Sequence, residues 1–301
     1  MIEIKNVSKT FDDIQALQQV SAEIQEGSIF GLIGTNGAGK STLLRMLCGV
    51  YKPDQGEILI DGQNVYENEA VKQKVFYISD DQYYLPNSTM EEMARYYSVI
   101  YKNFSNDLFL NLTKQFQLNP TRKLSTFSKG MQKRAHIILG LSCQPKYLLC
   151  DETFDGLDPV MRQAVKRLLA EAVLEHSMTP IIASHNLREL EDICDHVGLL
   201  HQGGVVFERE INQLQENLHK VQCAFEEEKT EEFFRELDIV TIQFRGRLAV
   251  MTVRGKKEHT EKIIAGMNPL YYEILPLTLE EIFITEMEVI GYDFKQIIEE
   301  K

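Results

Sequence analysis

No stretch of this 301-residue chain is long and apolar enough to span a bilayer as a helix, so any membrane connection must run through a partner. The start, Met1-Ile2-Glu3-Ile4-Lys5, lacks the charged-then-apolar pattern of a secretion signal. Cysteine is sparse and unpaired in pattern. The five residues Cys48, Cys143, Cys150, Cys194 and Cys223 are odd in number, scattered and never C-x-x-C, which argues against a disulfide framework or a zinc module. Free thiols in a reducing cytosol are expected. Positive charge is also short: 32 Lys and Arg against 45 Asp and Glu leave a formal charge of −13. A nucleic-acid-binding face needs clustered cations, and the densest cluster in the first half is only Lys129, Lys133 and Arg134, so no nucleic-acid partner is expected. There is no internal repeat and no low-complexity tract. What is present, 44% hydrophobic and 26% charged residues, is ordinary for a globular protein with room for a large domain and a smaller one.

Against that plain background one motif stands out, Gly34-Thr35-Asn36-Gly37-Ala38-Gly39-Lys40-Ser41, followed by Thr42. It lies between an apolar run, Ile29 to Ile33, and a helical pattern, Thr42 to Leu47, and G-x-x-x-x-G-K-S in that setting is a phosphate-binding loop. Glycines let the backbone curl so that successive N–H groups converge on an anion, and the following helix adds its positive end. Lys40 is expected on the β- and γ-phosphates and the Ser41 hydroxyl on Mg²⁺.

The rest of the first two-thirds reads as α/β. Short apolar strands are expected at Ile2–Val7, Ala22–Ile24, Ile29–Ile33, Ile58–Ile60, Val75–Ile78, Tyr147–Cys150, Pro180–Ala183 and Val197–Leu200. Helices between them imply a mostly parallel sheet with ligand at the strands' carboxyl ends, and residues 85–145 form a helical insertion. After Gly203-Gly204 the composition shifts, and an acidic run, Glu226-Glu227-Glu228, follows. Strands at Val221–Phe225, Ile239–Phe244, Leu248–Val253 and Tyr271–Leu275, with helices at Glu231–Leu237 and Glu258–Met267, suggest a small α+β unit of ferredoxin-like order. Further helices are expected at Leu279–Val289 and Phe294–Glu300. The division is therefore 1–215 and 216–301, the second without catalytic residues.

Two carboxylates, Asp151 and Glu152, end the apolar strand from Tyr147. Asp151 is placed to hold Mg²⁺ and Glu152 to polarise a water. His185 follows another such strand. Phe127-Ser128-Lys129-Gly130-Met131, then Gln132-Lys133-Arg134, resembles the signature of ATP-binding cassette proteins in a form common among exporter ATPases. Gly156-Leu157-Asp158-Pro159 resembles that family's D-loop, His185 matches its switch histidine, and Phe11 falls where it stacks an aromatic ring on adenine. Order and spacing agree from Met1 to about Glu208.

The resemblance implies an ATP- and Mg²⁺-dependent ATPase that works as a head-to-tail dimer, homo- or heterodimeric, on the cytoplasmic face of a membrane, docked to separately encoded permease subunits. Ser128 and Gly130 then bind the partner's γ-phosphate, Asp158 crosses the interface, Glu152 is general base and His185 holds the attacking water in line. The signature and the ending Pro276-Leu277-Thr278-Leu279-Glu280-Glu281 resemble the antibiotic and peptide exporter branch, with lipid also compatible as cargo. A cassette ATPase acting on ribosome or DNA is the rival; those usually carry two cassettes or a long insertion. Departures from the pattern are Thr153-Phe154 after the carboxylates and Thr35 in the loop. At the glutamine loop, counting back from Pro86 gives Asp80, and the nearest glutamine is Gln82. Asp80 or its neighbour Asp81 is favoured over Gln82 as the Mg²⁺ sensor.

Overall fold

The computed structural model describes residues 1–81 and 83–289, so Gln82 and the helix expected over Phe294–Glu300 lie outside it. The chain divides into two compact units, the first Met1–Glu208 and the second beginning at Arg209.

The first unit opens with an antiparallel hairpin, β1 (Ile2–Phe11) and β2 (Ile14–Ile24), then β3 (Phe30–Ile33), the glycine loop and α1 (Lys40–Leu47). β4 (Gln55–Ile60) and β5 (Gln63–Asn64) extend the hairpin into a sheet of order β2-β1-β4-β5. After α2 (Glu69–Lys72) and β6 (Val75–Ile78) comes the helical insertion α3 (Met90–Ile100), α4 (Asn106–Gln115) and α5 (Lys129–Ser142). β7 (Tyr147–Asp151), α6 (Pro159–His176), β8 (Thr179–Ser184), α7 (Leu187–Glu191), β9 (His196–His201) and β10 (Gly204–Glu210) complete it.

The second sheet has the order β10-β9-β3-β8-β7-β6, and from β9 to β6 every pairing is parallel. Its central strands are buried throughout, which is why they read as unbroken apolar runs rather than alternating ones. Leu43, Leu44, Met46 and Leu47 of α1 share one core with Ile4, Leu149 and Ile181, so burial fixes the helix directly behind the glycine loop. Helix starts are set locally: Thr89 and Glu92 form a reciprocal capping box on α3, Ser105 caps α4, Ser128 caps α5, and Asp158 with Pro159 opens α6.

The second unit contains α8 (Ile211–Asn217), β11 (Leu218–Ala224), a single 3₁₀ turn (Glu231–Phe234), β12 (Asp238–Arg245), β13 (Leu248–Arg254), α9 (Lys257–Gly266), β14 (Tyr271–Pro276) and α10 (Leu279–Val289). Its sheet is antiparallel with order β12-β13-β11-β14, the ferredoxin-like arrangement. The first helix expected there, Glu231–Leu237, is only the 3₁₀ turn. Phe233 and Phe234 pack edge-on against Phe225 at 5.2 and 5.8 Å, pinning the turn before β12 begins. The first unit closes at Glu208, ahead of the composition boundary at 215, because α8 packs on β11. No helix among the described residues is long and apolar enough to cross a membrane.

Candidate active site

Strands β3, β8 and β7 are adjacent and parallel, so the segments leaving their carboxyl ends emerge along one edge. The glycine loop leaves β3, His185 leaves β8, and Glu152 leaves β7 directly after its last residue, Asp151. The loop needs its glycines. A Cβ at Gly34 would sit 2.5 Å from the Leu200 carbonyl oxygen, and Gly39 has φ +103° with the Ala16 carbonyl 2.5 Å from where its Cβ would be. Lys40, 6% exposed, donates from Nζ to the carbonyls of Gly34 (2.7 Å) and Thr35 (3.1 Å), and stands 3.8 Å from Glu152 Oε1. Burial lowers its pKa, and the charges of Glu152 and Asp151 oppose that shift. Gly39 caps α1 without a side-chain bond, so the first-turn N–H groups lack a side-chain cap, an arrangement suited to an anion.

Ser41 Oγ donates to Asp151 Oδ1 at 3.1 Å, and Tyr77 OH donates to Asp151 Oδ2 at 2.8 Å. Asp151 is 2% exposed, and its oxygens beside the Ser41 hydroxyl are the hard donor set that suits Mg²⁺. Tyr77 on β6 was not foreseen. Its hydroxyl pKa is pushed far up by burial, then by the Asp151 charge, so it stays a hydrogen-bond donor.

Glu152 Oε2 lies 3.0 Å from His185 Nδ1, and the Asp155 carboxylate lies close to both. Glu152 sits at φ +46°, in the left-handed region. Its N–H donates to the Ala183 carbonyl (3.0 Å), and its own carbonyl accepts from Lys133 Nζ (2.9 Å) and the Asp155 N–H (3.3 Å). His185 is steadied from below: Ser184 Oγ donates to Glu189 Oε2 (3.3 Å) and accepts from the Asn186 N–H (3.0 Å), while Arg162 pairs with Glu189 Oε1 (3.3 Å). Burial raises the pKa of Glu189 and Arg162 opposes it. The cluster brings together a phosphate cradle, a hard-cation donor pair and a carboxylate–imidazole pair able to handle a proton.

Comparison with known proteins agrees with this chemistry. A family profile described as ABC transporter matches residues 17–155. The ABC transporter ATP-binding protein YtrB of Bacillus subtilis (strain 168) is 30% identical over 95% of this chain and 98% of its own length. This chain belongs to the ABC transporter ATP-binding proteins. Bacitracin transport ATP-binding protein BcrA of Bacillus licheniformis is 30% identical over 73% of each chain. Methionine import ATP-binding protein MetN of Protochlamydia amoebophila (strain UWE25) is 32% identical over 71% of this chain and 67% of its own. A solved ATP-binding subunit of an ABC transporter superposes with TM-score 0.66 at 26% identity, covering 71% of this chain and 92% of the other. As an ABC ATPase, the protein binds ATP with Mg²⁺, hydrolyses it in support of transport, dimerises and works with membrane-spanning subunits.

The remaining ABC motifs lie around the start of α5, between β7 and α6, after β6 and at the end of β1. Phe127 is buried with Arg122 over its ring at 5.6 Å, while Ser128 and Lys129 are exposed. Ser128 Oγ accepts the Met131 N–H at 3.3 Å, and Asp158 Oδ1 accepts the Met161 N–H at 3.0 Å. A Cβ at Gly130 would lie 3.4 Å from the Gly156 carbonyl, so signature and D-loop pack together. Phe11 ends β1, partly exposed, edge-on to Tyr51 at 5.1 Å. Asp80 is 61% exposed and pairs with Lys133 at 3.1 Å.

Proposed function

We propose that this ABC ATPase drives an exporter of peptide, antibiotic or lipid, as a head-to-tail dimer docked on separately encoded permease subunits at the cytoplasmic face. The direction is supported by the Ser128-Lys129-Gly130-Met131 form of the signature and by the likeness to BcrA. In this reading the loop from Gly34 to Thr42 holds the phosphates, with Lys40 as the charge among them, and Phe11 stacks on the base. Ser41 and Asp151 hold Mg²⁺, whose charge offsets that of the phosphates. Ser128, exposed at the start of α5, and the half-buried Gly130 backbone meet the partner subunit's nucleotide, with the D-loop carrying Asp158 packed against Gly130.

The observation that carries the reaction is the 3.0 Å contact between Glu152 and His185, beside Lys40. Glu152 takes a proton from the attacking water, and His185, held through Ser184 and Glu189, orients that water. Glu152→Gln keeps the size but cannot accept the proton. ATP hydrolysis should slow by about 10²–10⁴-fold with nucleotide binding retained. The variant should accumulate as an ATP-loaded dimer on gel filtration. Wild-type turnover by Glu152→Gln, where Lys40→Ala is inactive, would remove Glu152 from the role of base. Direction is tested separately: complexes isolated in detergent and reconstituted inside out should take up cargo when ATP is added.

A further inference from the structure

We propose that Lys133 is a positioning residue that fixes the backbone of Glu152 and ties it to α5 and to the segment after β6. The proposal rests on Glu152 being the base. Glu152 at φ +46° occupies a region that a side-chain-bearing residue enters only when its surroundings hold it. Two of the three bonds that hold it come from its own sheet edge: its N–H to Ala183, and the Asp155 N–H to its carbonyl at 3.3 Å. The third comes from a different element. Lys133 Nζ reaches the Glu152 carbonyl at 2.9 Å, a shorter, charge-assisted bond, from a side chain only 13% exposed.

Of the basic cluster around the signature, only Lys133 has this contact. Arg134 turns back to the carbonyls of Gly130 and Phe116, and neighbouring Gln132 donates to Leu124. Lys133 lies in the second turn of α5, whose first turn carries the signature, so displacement of α5 is transmitted to the peptide bearing the base. Its ammonium also binds Asp80 Oδ1 at 3.1 Å. Asp80 thus acts on the site through Lys133. Being 61% exposed, it guides the ammonium more than it anchors it.

The test is steady-state ATPase of the full chain carrying Lys133→Met, Lys133→Arg or Asp80→Asn, each with and without Glu152→Gln. Lys133→Met should lower kcat about 10–100-fold, the scale of a small misplacement of a reacting group, with KM for ATP changed less than about twofold. Lys133→Arg, which keeps a charged donor, should restore most of kcat, and Asp80→Asn should have the smaller effect. In the Glu152→Gln background Lys133→Met should cause no further loss, since it acts through the missing base. Unchanged kcat in Lys133→Met, a parallel loss of ATP affinity, or an equal further loss in the double variant would each overturn the proposal. Wild-type turnover by Glu152→Gln alone would instead overturn the assignment of the base.

Discussion

His136 lies in α5, 4% exposed, its ring stacked on Tyr84 at 4.8 Å and its Nδ1 without a hydrogen-bond partner among the described residues. Burial lowers its pKa to about 4 from 6.5. The sign follows from proton binding: between those values the unfolded chain takes up a proton that the folded protein excludes. The stability tied to this group is complete above pH 6.5 and is lost as pH falls toward 4, by about 3 kcal/mol in all. His136→Phe keeps a ring against Tyr84 and removes the titration. Urea unfolding at pH 7.5 and pH 5 should show a stability loss about 2 kcal/mol smaller for the variant. An equal loss in both proteins would mean that His136 takes up its proton as readily in the fold as in the unfolded chain. Acid-sensitive carboxylates such as Asp61 are common to both and cancel in the difference. At this scale the sequence named Lys40, Ser41, Asp151 and Glu152 from their motifs and His185 from the family resemblance, and the fold brings these residues to one strand edge. Tyr77 and Glu189 were missed because each meets the site through space, from β6 and α7, with no motif of its own. Lys133, though it stands beside the signature, showed no sign in the sequence of reaching the Glu152 carbonyl.

The glycine loop shows how an element is held by two different constraints. Gly37 has φ +81° with nothing within 4 Å of an added Cβ, whereas Gly39 has φ +103° and would meet the Ala16 carbonyl at 2.5 Å and Leu17 at 2.8 Å. Gly37→Ala bears backbone strain alone and Gly39→Ala bears strain plus a clash with the backbone of β2 and the buried Leu17 side chain. Titration with a fluorescent ATP analogue should show Gly39→Ala weakened about 10–100-fold further than Gly37→Ala, since each 1.4 kcal/mol is tenfold. Equal affinities would mean that the hairpin yields to the added methyl. Legibility of the strands follows their surroundings. β3, β7 and β8, covered on both faces, declared themselves as apolar runs. β1 and β2 were read short because one face is exposed and the pairing shifts register between Ile4 and Thr10, while Asn6, Asp12 and Gln19 at positive φ break the alternation. β5 is two exposed residues, too short for any periodicity.

At the scale of the whole molecule, each unit has a core of its own. One joins α1 to the sheet strands and contains Leu44, Leu149 and Ile181; the other contains Val221, Met251, Val253 and Ile264. Every residue given a chemical role lies before Glu208, the last residue of the first unit. The proposed division into an ATPase domain and an accessory domain therefore predicts autonomy. A fragment of residues 1–210, which keeps β10 on the sheet edge, should fold and bind ATP within a few-fold of the full chain, a difference under about 1 kcal/mol. The same fragment with Lys40→Ala should not bind, which separates the site from adventitious nucleotide affinity. If the second unit stabilises the dimer, a Glu152→Gln form of the fragment should need a higher concentration to dimerise with ATP than the full-length Glu152→Gln protein. Sedimentation across a concentration series measures that directly. A cooperatively folded fragment that fails to bind ATP would overturn the division, because the second unit would then have to complete the nucleotide site. A fragment that binds ATP and dimerises as tightly as the full chain would leave the division intact and place the role of the second unit elsewhere, with the permease subunits as the next partner to test.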